Sequence, residues 1–274
     1  NEDFKIYWNN FPIAKLSMGN DYLNPNFELI IDDTIEQSPK QKLTEFISKW
    51  IQDKINTILK SLIDLKNLKE KNSSIKALAY QLYENNGVLK REQVSEYLKK
   101  LGQNERKILR ELGVKFGRYH VFLYQLIKPE AVSLRTLLWK NFHQKYHKLK
   151  PPTFGLNFLD DQESRNRNFM LLCGFEKFEN LFVRIDILER LFMQIINSNS
   201  KENKEIKMVP EMLNLLGCSK DNFKKLLKKM GYKIFDKEEE TFFKYSPIKQ
   251  FKKNPVKKVS SENPFKVLKN LNLG

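Results

Sequence analysis

The stretch 208–245, MVPEMLNLLGCSKDNFKKLLKKMGYKIFDKEEETFFKY, constrains the fold of this chain most. It predicts a short helix, a tight turn, a second helix and then alternating strand-like residues. On the second helix, Phe223, Leu226, Leu227 and Met230 fall within an arc of about 100°, because successive residues are about 100° apart. Five lysines spread over its other side: Lys220, Lys224, Lys225, Lys228 and Lys229.

This order of elements is that of a winged helix-turn-helix. A recognition helix of that type needs one face that anchors it to a core and another that faces phosphates. The five lysines are therefore candidates for nucleic-acid binding. The alternative is an ordinary amphipathic surface helix whose lysines face solvent, so the rest of the chain has to decide.

Composition favours a folded protein whose partner is a polyanion. The chain has 274 residues, of which 41% are hydrophobic and 30% are charged, so one large or two modest domains are expected. A net charge of +16 makes nucleic acid the leading class of partner. Lysine, asparagine and isoleucine are all abundant, however, as an AT-rich genome produces, so part of the lysine excess can be coding drift.

Several functional classes are disfavoured by what the sequence lacks. No stretch approaches about 18 uninterrupted apolar residues, which predicts no membrane partner. Cys173 and Cys218 match no metal or redox spacing, which favours a reduced, cytoplasmic setting. No glycine precedes a lysine, so a Walker A loop is absent, and no Gly-x-Ser-x-Gly elbow occurs. His143 and His147 have zinc-compatible spacing but no cysteine nearby. We therefore predict no catalytic residue, no cofactor-binding residue and no metal ligand.

The first 150 residues predict a small β-rich segment and then helices. Residues 4–16 alternate around Asn9 and Asn10, which predicts a β-hairpin, and 27–31 supply a third extended run within a β-rich segment 1–38. From Pro39, apolar side chains at three- and four-residue spacing predict a long helix. Further helices are predicted over 74–84 and 91–101, from there to 112, and over 129–147. The region 39–150 is thus expected to be a helical bundle.

A joint at Pro151, Pro152 and Gly155 predicts a second domain over 151–246. It should contain helices near 167–173 and 186–197, a strand at 178–184 and the winged-helix-like unit. The basic tail 247–274 is expected to be disordered until it meets a partner. Its last part, NPFKVLKNL, fits a short terminal docking helix, and a solvated tail fits equally well. The expected fold class is mainly α with small β elements.

A faint internal echo relates LGQNERKILRELGVKF at 101–116 to LGCSKDNFKKLLKKMGYKI at 216–234. Both segments contain Leu-Gly, a polar helix start, an amphipathic helix, and then Gly-x-Lys before an apolar residue. Two winged-helix-like units in one chain would explain the echo. The alignment needs a three-residue gap, however, and two amphipathic helices also resemble each other by chance.

A second set of candidates for nucleic-acid contact follows one glycine: Arg118, Tyr119 and His120. A cation, an aromatic ring and a hydrogen-bonding group together suit backbone contact and base stacking. The alternative is that the aromatic residues of this segment pack inward and that the arginine pairs with an acid such as Glu111. Further along the chain, Arg184 is expected to form a structural pair with Asp186 or Glu189.

The block LRELGVKFGRYHVFLYQLIKPEAVSLRTLLW at 109–139 resembles one typical of the C-terminal region of alphaproteobacterial DExH-box helicases related to the mitochondrial degradosome RNA helicase. LSMGNDYLNPNFEL at 16–29 is similar to the segment that follows the motor lobes in those proteins. VRIDILERL at 183–191 and VPEMLNLLGCS at 209–219 resemble their last folded unit, and NPFKVLKNL resembles their terminal box. The resemblance covers nearly the whole chain.

This resemblance implies a C-terminal accessory region of an ATP-dependent RNA helicase that acts in RNA unwinding and turnover, with both motor lobes absent from this chain. ATP and Mg²⁺ would bind only in those lobes. The implied partners are RNA or another single-stranded nucleic acid, the motor lobes and an exoribonuclease. Because the chain starts at Asn1 without a leader, we expect it to be a piece of a longer protein. Two alternatives stay open: a protein-interaction scaffold with a winged-helix docking domain, and a stand-alone basic nucleic-acid-binding protein.

Overall fold

Helices surround four small antiparallel sheets of three strands each in the described part of the chain. That part is residues 3–31, 36–69, 73–161, 165–198, 205–237 and 239–246 of a computed structural model. The arrangement agrees with the predicted class, mainly α with small β elements. No helix in these ranges is both long and apolar enough to cross a bilayer. The predictions for the tail 247–274 lie outside the described residues.

The N-terminal sheet is the predicted hairpin extended by one strand. Strands β1 (Lys5–Trp8), β2 (Phe11–Asp21) and β3 (Asn24–Leu29) pair antiparallel in chain order. Asn9 and Asn10 have φ values of 45° and 69°. Positive φ at both central residues is what a two-residue type I′ turn requires, and asparagine tolerates it well.

Helix α1 (Gln37–Ile58) buries only one side of its apolar surface. Ile47, Ile51 and Ile55 recur every four residues and are all buried. Phe46 and Trp50, by contrast, are 52% and 44% exposed. A break at Leu59 separates this helix from α2 (Lys60–Lys66). Aromatic side chains of α1 therefore remain on the surface beside a well-packed isoleucine stripe.

The remaining described chain repeats one order of elements three times: a helix, a strand, one or two helices, and then two strands. Repeat 1 (73–123) consists of α3 (Ser73–Glu84), β4 (Val88–Lys90), α4 (Ser95–Lys100), α5 (Gln103–Glu111), β5 (Val114–Phe116) and β6 (His120–Leu123). Repeat 2 (129–184) consists of α6 (Pro129–Phe142), β7 (Phe158–Asp160), α7 (Arg167–Leu172), β8 (Phe175–Phe178) and β9 (Leu181–Arg184). Repeat 3 (185–245) consists of α8 (Ile185–Asn197), β10 (Ile206–Lys207), α9 (Pro210–Leu216), α10 (Lys220–Lys229), β11 (Tyr232–Lys237) and β12 (Glu240–Tyr245). In the sheet of each repeat, the last strand lies between the other two.

The same glycine turn recurs in every repeat. A glycine with φ between 84° and 89° separates the last helix from the second strand: Gly113, Gly174 and Gly231. Each glycine amide donates to the carbonyl three residues earlier. Each glycine carbonyl accepts from the amide directly after the last strand, at Tyr124, Ile185 and Ser246 respectively. The echoing segments 101–116 and 216–234 thus occupy equivalent places in repeats 1 and 3, and repeat 2 shares the turn although its sequence gave no such indication.

The region 39–150 contains a sheet that the sequence analysis missed. The predicted helix 91–101 begins only at Ser95, because 88–90 form β4, and β5 and β6 follow α5. Helix α6 also ends at Phe142 rather than 147, and a 3-10 turn follows at Gln144–Tyr146. His143 and His147 therefore do not share a helical face. Strands of three or four residues are too short to show a reliable alternation.

Buried apolar clusters connect these parts. One runs from Ala14 to Leu138 and joins the N-terminal sheet, α1, α2 and repeat 1. Another runs from Phe158 to Phe243 and joins β7 and β9 to repeat 3. Helix α6 contributes to the first of these and also to a third cluster with α7. The predicted domain boundary near 151 stays a prediction.

Arg135 of α6 is fully buried and ties repeat 1 to repeat 2. Its guanidinium donates to the carbonyls of Asn86, Leu126 and Leu172 at 2.6, 2.7 and 2.7 Å. Burial lowers the pKa of Arg135 to about 10, so the side chain stays protonated at neutral pH. A buried cation held by three carbonyl dipoles fixes how the two repeats sit against each other.

Candidate nucleic-acid interface

A cleft of about 880 Å³ opens where the three repeats meet. Five cationic residues line it: Lys90, Arg91, Arg118, Lys177 and Lys229. Five aromatic residues line it as well: Tyr119, Phe178, Phe192, Tyr232 and Tyr245. The acids in its lining are Glu92 and Glu176. Cations outnumber acids, and rings lie among them, so the cleft suits a ligand with both negative charge and flat apolar groups.

A buried ion pair in the wall of the cleft joins repeats 1 and 2. His120 Nε2 lies 2.9 Å from Glu176 Oε2, and the two side chains are 2% and 3% exposed. Arg167 and Lys90 approach the other carboxylate oxygen to 3.0 and 3.6 Å. Burial raises the pKa of Glu176, but the hydrogen bond and charge of His120 and the charges of Lys90 and Arg167 outweigh it and lower the pKa to about 2. Glu176 is therefore an anion that its own neighbours already neutralise.

Glu189 of α8 joins repeat 3 to repeat 1 beside the His120 and Glu176 pair. Its carboxylate accepts hydrogen bonds from three successive amides of the turn before β6, those of Arg118, Tyr119 and His120. A Cβ atom on Gly117 would lie 2.3 Å from the carboxyl carbon of Glu189, so a side chain at that position would displace the carboxylate. Glycine at 117 thus permits the contact that holds the turn.

His120 lies between carboxylates from two different repeats. Its Nδ1 is 3.6 Å from Glu189 Oε1, on the far side of the ring from Glu176. Burial lowers the pKa of His120, but the hydrogen bond to Glu176 and the nearby charges of both glutamates outweigh it and raise the pKa above the usual value. His120, Glu176 and Glu189, one titratable side chain from each repeat, therefore lie together in the wall of the cleft.

The three candidate residues of the turn 117–120 differ in how accessible they are to a ligand. Arg118 is exposed, and its guanidinium carbon lies 5.5 Å from the centre of the Phe192 ring. Tyr119 is half-buried and meets the same ring edge-on at 5.4 Å. His120 is buried and held by Glu176, so a ligand in the cleft would meet Arg118 and Tyr119 first. The guanidinium of Arg118 lies over Phe192 rather than against Glu111, and the acid at this turn, Glu189, binds backbone amides instead. Phe122 in the same segment packs inward, in agreement with the alternative that its aromatic residues are buried.

The lysine-bearing helix α10 is amphipathic as predicted, but only one of its five lysines lines the cleft. That residue is Lys229, which pairs with Glu179. Lys224 Nζ lies 3.6 Å from Asp236. Lys225 donates to Asn222 at 3.3 Å. Lys220 and Lys228 are exposed, and the charge of Lys220 helps to lower the pKa of Asp236. The two candidate sets thus meet at Lys229 and the turn 117–120, while four lysines face elsewhere.

Most residues that line the cleft were not among the candidates predicted from the sequence. Lys90 and Arg91 at the end of β4, Lys177 in β8 and Tyr245 at the end of β12 lie far apart in sequence. Strand pairing joins the first two to the turn 117–120, since the Arg91 amide donates to the Tyr119 carbonyl at 2.8 Å. The threefold repeat could have predicted this lining. In each repeat, the end of the first strand lies beside the turn that precedes the last strand. Arg184 pairs with Asp186 at 2.7 Å, as expected.

Comparisons with protein-family models, curated proteins and solved structures find no match to this chain. Within the described ranges, no group of three or more histidine, cysteine or acidic side chains could hold a metal ion. The functional assignment of the cleft therefore depends on its own chemistry, in which cations and rings dominate. The binding roles of the eight candidate residues stay predictions.

Proposed function

We propose that this chain is a nucleic-acid-binding accessory region of an ATP-dependent RNA helicase, and that its cleft binds single-stranded RNA. The lining of the cleft carries the proposal, because five cations and five rings accompany two acids, one of them neutralised by His120. Cations attract phosphates in a salt-dependent manner, and rings stack on bases of any sequence. Stacking on protein rings needs unpaired bases, which favours a single strand over a duplex.

We also infer that repeats 1 and 3 are winged helices. Each has a helix before its first strand and two successive helices after it, and then two strands of which the last is central. In this interpretation, residues at the ends of strands and in the turn 117–120 contact the RNA in the cleft. The outer face of the recognition-type helix α10 would then contribute mainly long-range attraction.

The part of the proposal that concerns a helicase rests on the resemblance of 109–139 to the C-terminal region of that family. In-frame motor motifs in the genomic sequence upstream of Asn1 are expected. A start codon directly upstream with no such motifs would contradict the helicase parentage. It would leave the RNA-binding cleft as a separate proposal.

A salt titration of RNA binding with two matched variants tests the cleft. Lys229→Ala and Lys220→Ala remove exposed lysines from the same helix, but only Lys229 lines the cleft. Each phosphate contact on a single strand contributes about 0.7 to the slope of log K against log salt. We expect Lys229→Ala to reduce the slope by about that amount and Lys220→Ala to leave it unchanged. Salt-independent affinity, or equal losses in the two variants, would sink the assignment of the cleft.

The aromatic part of the proposal has its own matched pair. Tyr245 in the cleft and Tyr80 on α3 are 53% and 60% exposed. Loss of one base-stacking ring costs about 1–3 kcal/mol of binding free energy. We expect Tyr245→Ala to weaken single-stranded RNA binding by that amount with an unchanged salt slope, and Tyr80→Ala to have no effect. Identical affinities for the two variants would argue against stacking in the cleft.

A further inference from the structure

The N-terminal sheet and two helices enclose an apolar groove of about 330 Å³, formed by other residues than the RNA cleft. Ile6 and Tyr7 of β1, Trp50 and Ile58 of α1, and Leu134 and Leu137 of α6 are among the residues that line it. The charged residues of its lining, within the described ranges, are Lys5 and Lys54. The groove is thus an apolar surface with two positive charges in its lining, and the acid at its edge, Asp3, is already engaged by the Tyr7 hydroxyl and the Lys5 amide.

Exposed rings continue this surface beyond the groove. Trp8 and Phe11 at the tip of the hairpin are 57% and 73% exposed, and Phe46 and Trp50 on α1 are 52% and 44% exposed. The rings of Trp8 and Phe46 meet edge-on with centroids 6.1 Å apart, so the hairpin and α1 form one continuous ridge. Large contiguous apolar patches are rare on soluble monomers and mark interaction sites. A ridge of several aromatic rings also matches the residue types that dominate binding energy at protein interfaces.

We propose that this groove binds an amphipathic helix of another protein, with bulky apolar side chains on one face and acidic residues beside them. A groove of this volume takes a few side chains, and a helix presents such anchors at three- and four-residue spacing. The acidic flanks follow from charge complementarity, because Lys5 and Lys54 are the charged residues in the lining of the groove. RNA is a poor occupant, since the walls are mostly apolar and two lysines can pair with only a few of the phosphates of a bound strand.

The chain's own terminal segment also fits poorly. NPFKVLKNL at 263–271 has apolar residues at helical spacing, but its charged residues are Lys266 and Lys269. These would face Lys5 and Lys54, and like charges at a contact disfavour binding. The sign of the charges therefore separates a partner helix from this segment.

The test uses two synthetic helical peptides with the same leucine pattern, one flanked by glutamates and the other by lysines. The readout is tryptophan fluorescence of the full chain carrying Trp8→Phe, in which Trp50 lines the groove and Trp139 is 7% exposed. We expect a saturable blue shift with the acidic peptide and about tenfold weaker binding of the basic one. No shift with the acidic peptide, or equal affinity for both, would overturn the proposal.

Charge reversal provides a positive readout that an unfolded variant cannot imitate. Lys5→Glu combined with Lys54→Glu should exchange the preference, so that the basic peptide binds about tenfold more tightly than the acidic one. Lys60→Glu, an exposed lysine of α2 outside the groove lining, is the matched control and should keep the original preference. An unchanged preference in the double variant would overturn the proposal. A red shift of Trp50 on deletion of 247–274, or a concentration-dependent dimer through this face, would do the same by identifying another occupant.

Discussion

Repeats 1 and 3 share one backbone plan but use the helix at the same position differently. In repeat 1, Arg106 of α5 donates to the carbonyls of Leu98 and Leu101 at 2.8 and 3.2 Å. Arg110 of the same helix lies over the Phe116 ring at 5.7 Å. The arginines of α5 thus stabilise their own repeat, whereas the lysines of α10 remain at the surface. A shared topology therefore does not identify a binding face, because that depends on which side chains are free.

The two repeats also differ in how they are held. In the described part of repeat 3, Thr241 is a buried polar residue and the side-chain oxygen of Gln194 is buried as well, but the core cluster of this repeat is apolar. Repeat 1 is joined to its neighbours by Arg135, by the His120 and Glu176 pair and by the contacts of Glu189. Apolar packing stabilises each repeat and also joins neighbouring repeats, and a few buried polar contacts are added where repeat 1 meets the others. The shape of the cleft should therefore depend on those contacts.

The largest expected effect is that of Arg135→Met, which removes the donor to three carbonyls. Breaking a buried charged network by removing one partner typically costs about 3–5 kcal/mol of unfolding free energy. We expect a loss in this range in chemical denaturation. Replacement by Met tests this more directly than replacement by Ala, because Met keeps most of the side-chain volume, so that the measured loss reflects the missing hydrogen bonds. A loss below about 1 kcal/mol would show that the repeats do not depend on this residue.

The recurrent glycine turn predicts two smaller and unequal losses. An alanine forced to φ near +85° costs about 1–2 kcal/mol. Gly113→Ala should show this cost alone, since its new Cβ would meet nothing closer than 3.9 Å. Gly174→Ala should cost more, because its Cβ would lie 3.1 Å from Ile127. Equal unfolding free energies for Gly113→Ala and the unmodified chain would break the equivalence of the repeats.

The buried pair predicts a pH dependence of stability. The pKa of His120 is raised above its usual 6.5, so its contribution is present in full below that value and is lost as the pH rises through the raised pKa. The pKa of Glu176 is lowered from 4.5 to about 2, so its contribution is present above 4.5 and is lost as the pH falls toward 2. Unfolding free energy measured against pH should therefore show its largest gain from the pair between 4.5 and 6.5.

Glu176→Gln should weaken this pH dependence, because it abolishes the fall at low pH and leaves Glu189 as the carboxylate that raises the pKa of His120. Glu92→Gln alters an exposed acid of the same cleft and should leave the profile intact. If both variants keep the profile of the unmodified chain, the pair does not stabilise the junction.

The smallest effect sharpens the contrast between α5 and α10. Lys107 of α5 and Lys228 of α10 are both exposed, and neither lines the cleft. We expect Lys107→Glu and Lys228→Glu to lower single-stranded RNA affinity by about twofold or less at physiological salt, where surface charges are screened. A strong loss for Lys228→Glu alone would mean that α10 binds RNA through its outer face instead.

Much of the fold could be predicted from periodicity, while the assembly of the cleft could not. The Asn9 and Asn10 turn, the isoleucine stripe of α1 and the two faces of α10 follow from local sequence and appear as predicted. The strands β4 to β6 were missed because each is too short to show alternation. The contact of Glu189 with the turn 117–120 spans about seventy residues, and no local pattern encodes it. Gly117 is the local sequence feature that this contact requires, because a side chain there would displace the carboxylate.

Photo-crosslinking of thiouridine-labelled single-stranded RNA to the whole chain, with adducts located by mass spectrometry, tests the central claim most directly. Crosslinks form only to side chains in contact with a base, so the adducts report the binding face itself. We predict adducts at Tyr245, Tyr119 or Phe178, and their loss when Arg118 and Lys229 are replaced by glutamate. Adducts confined to the outer face of α10 or to the tail 247–274 would contradict the cleft as the binding site.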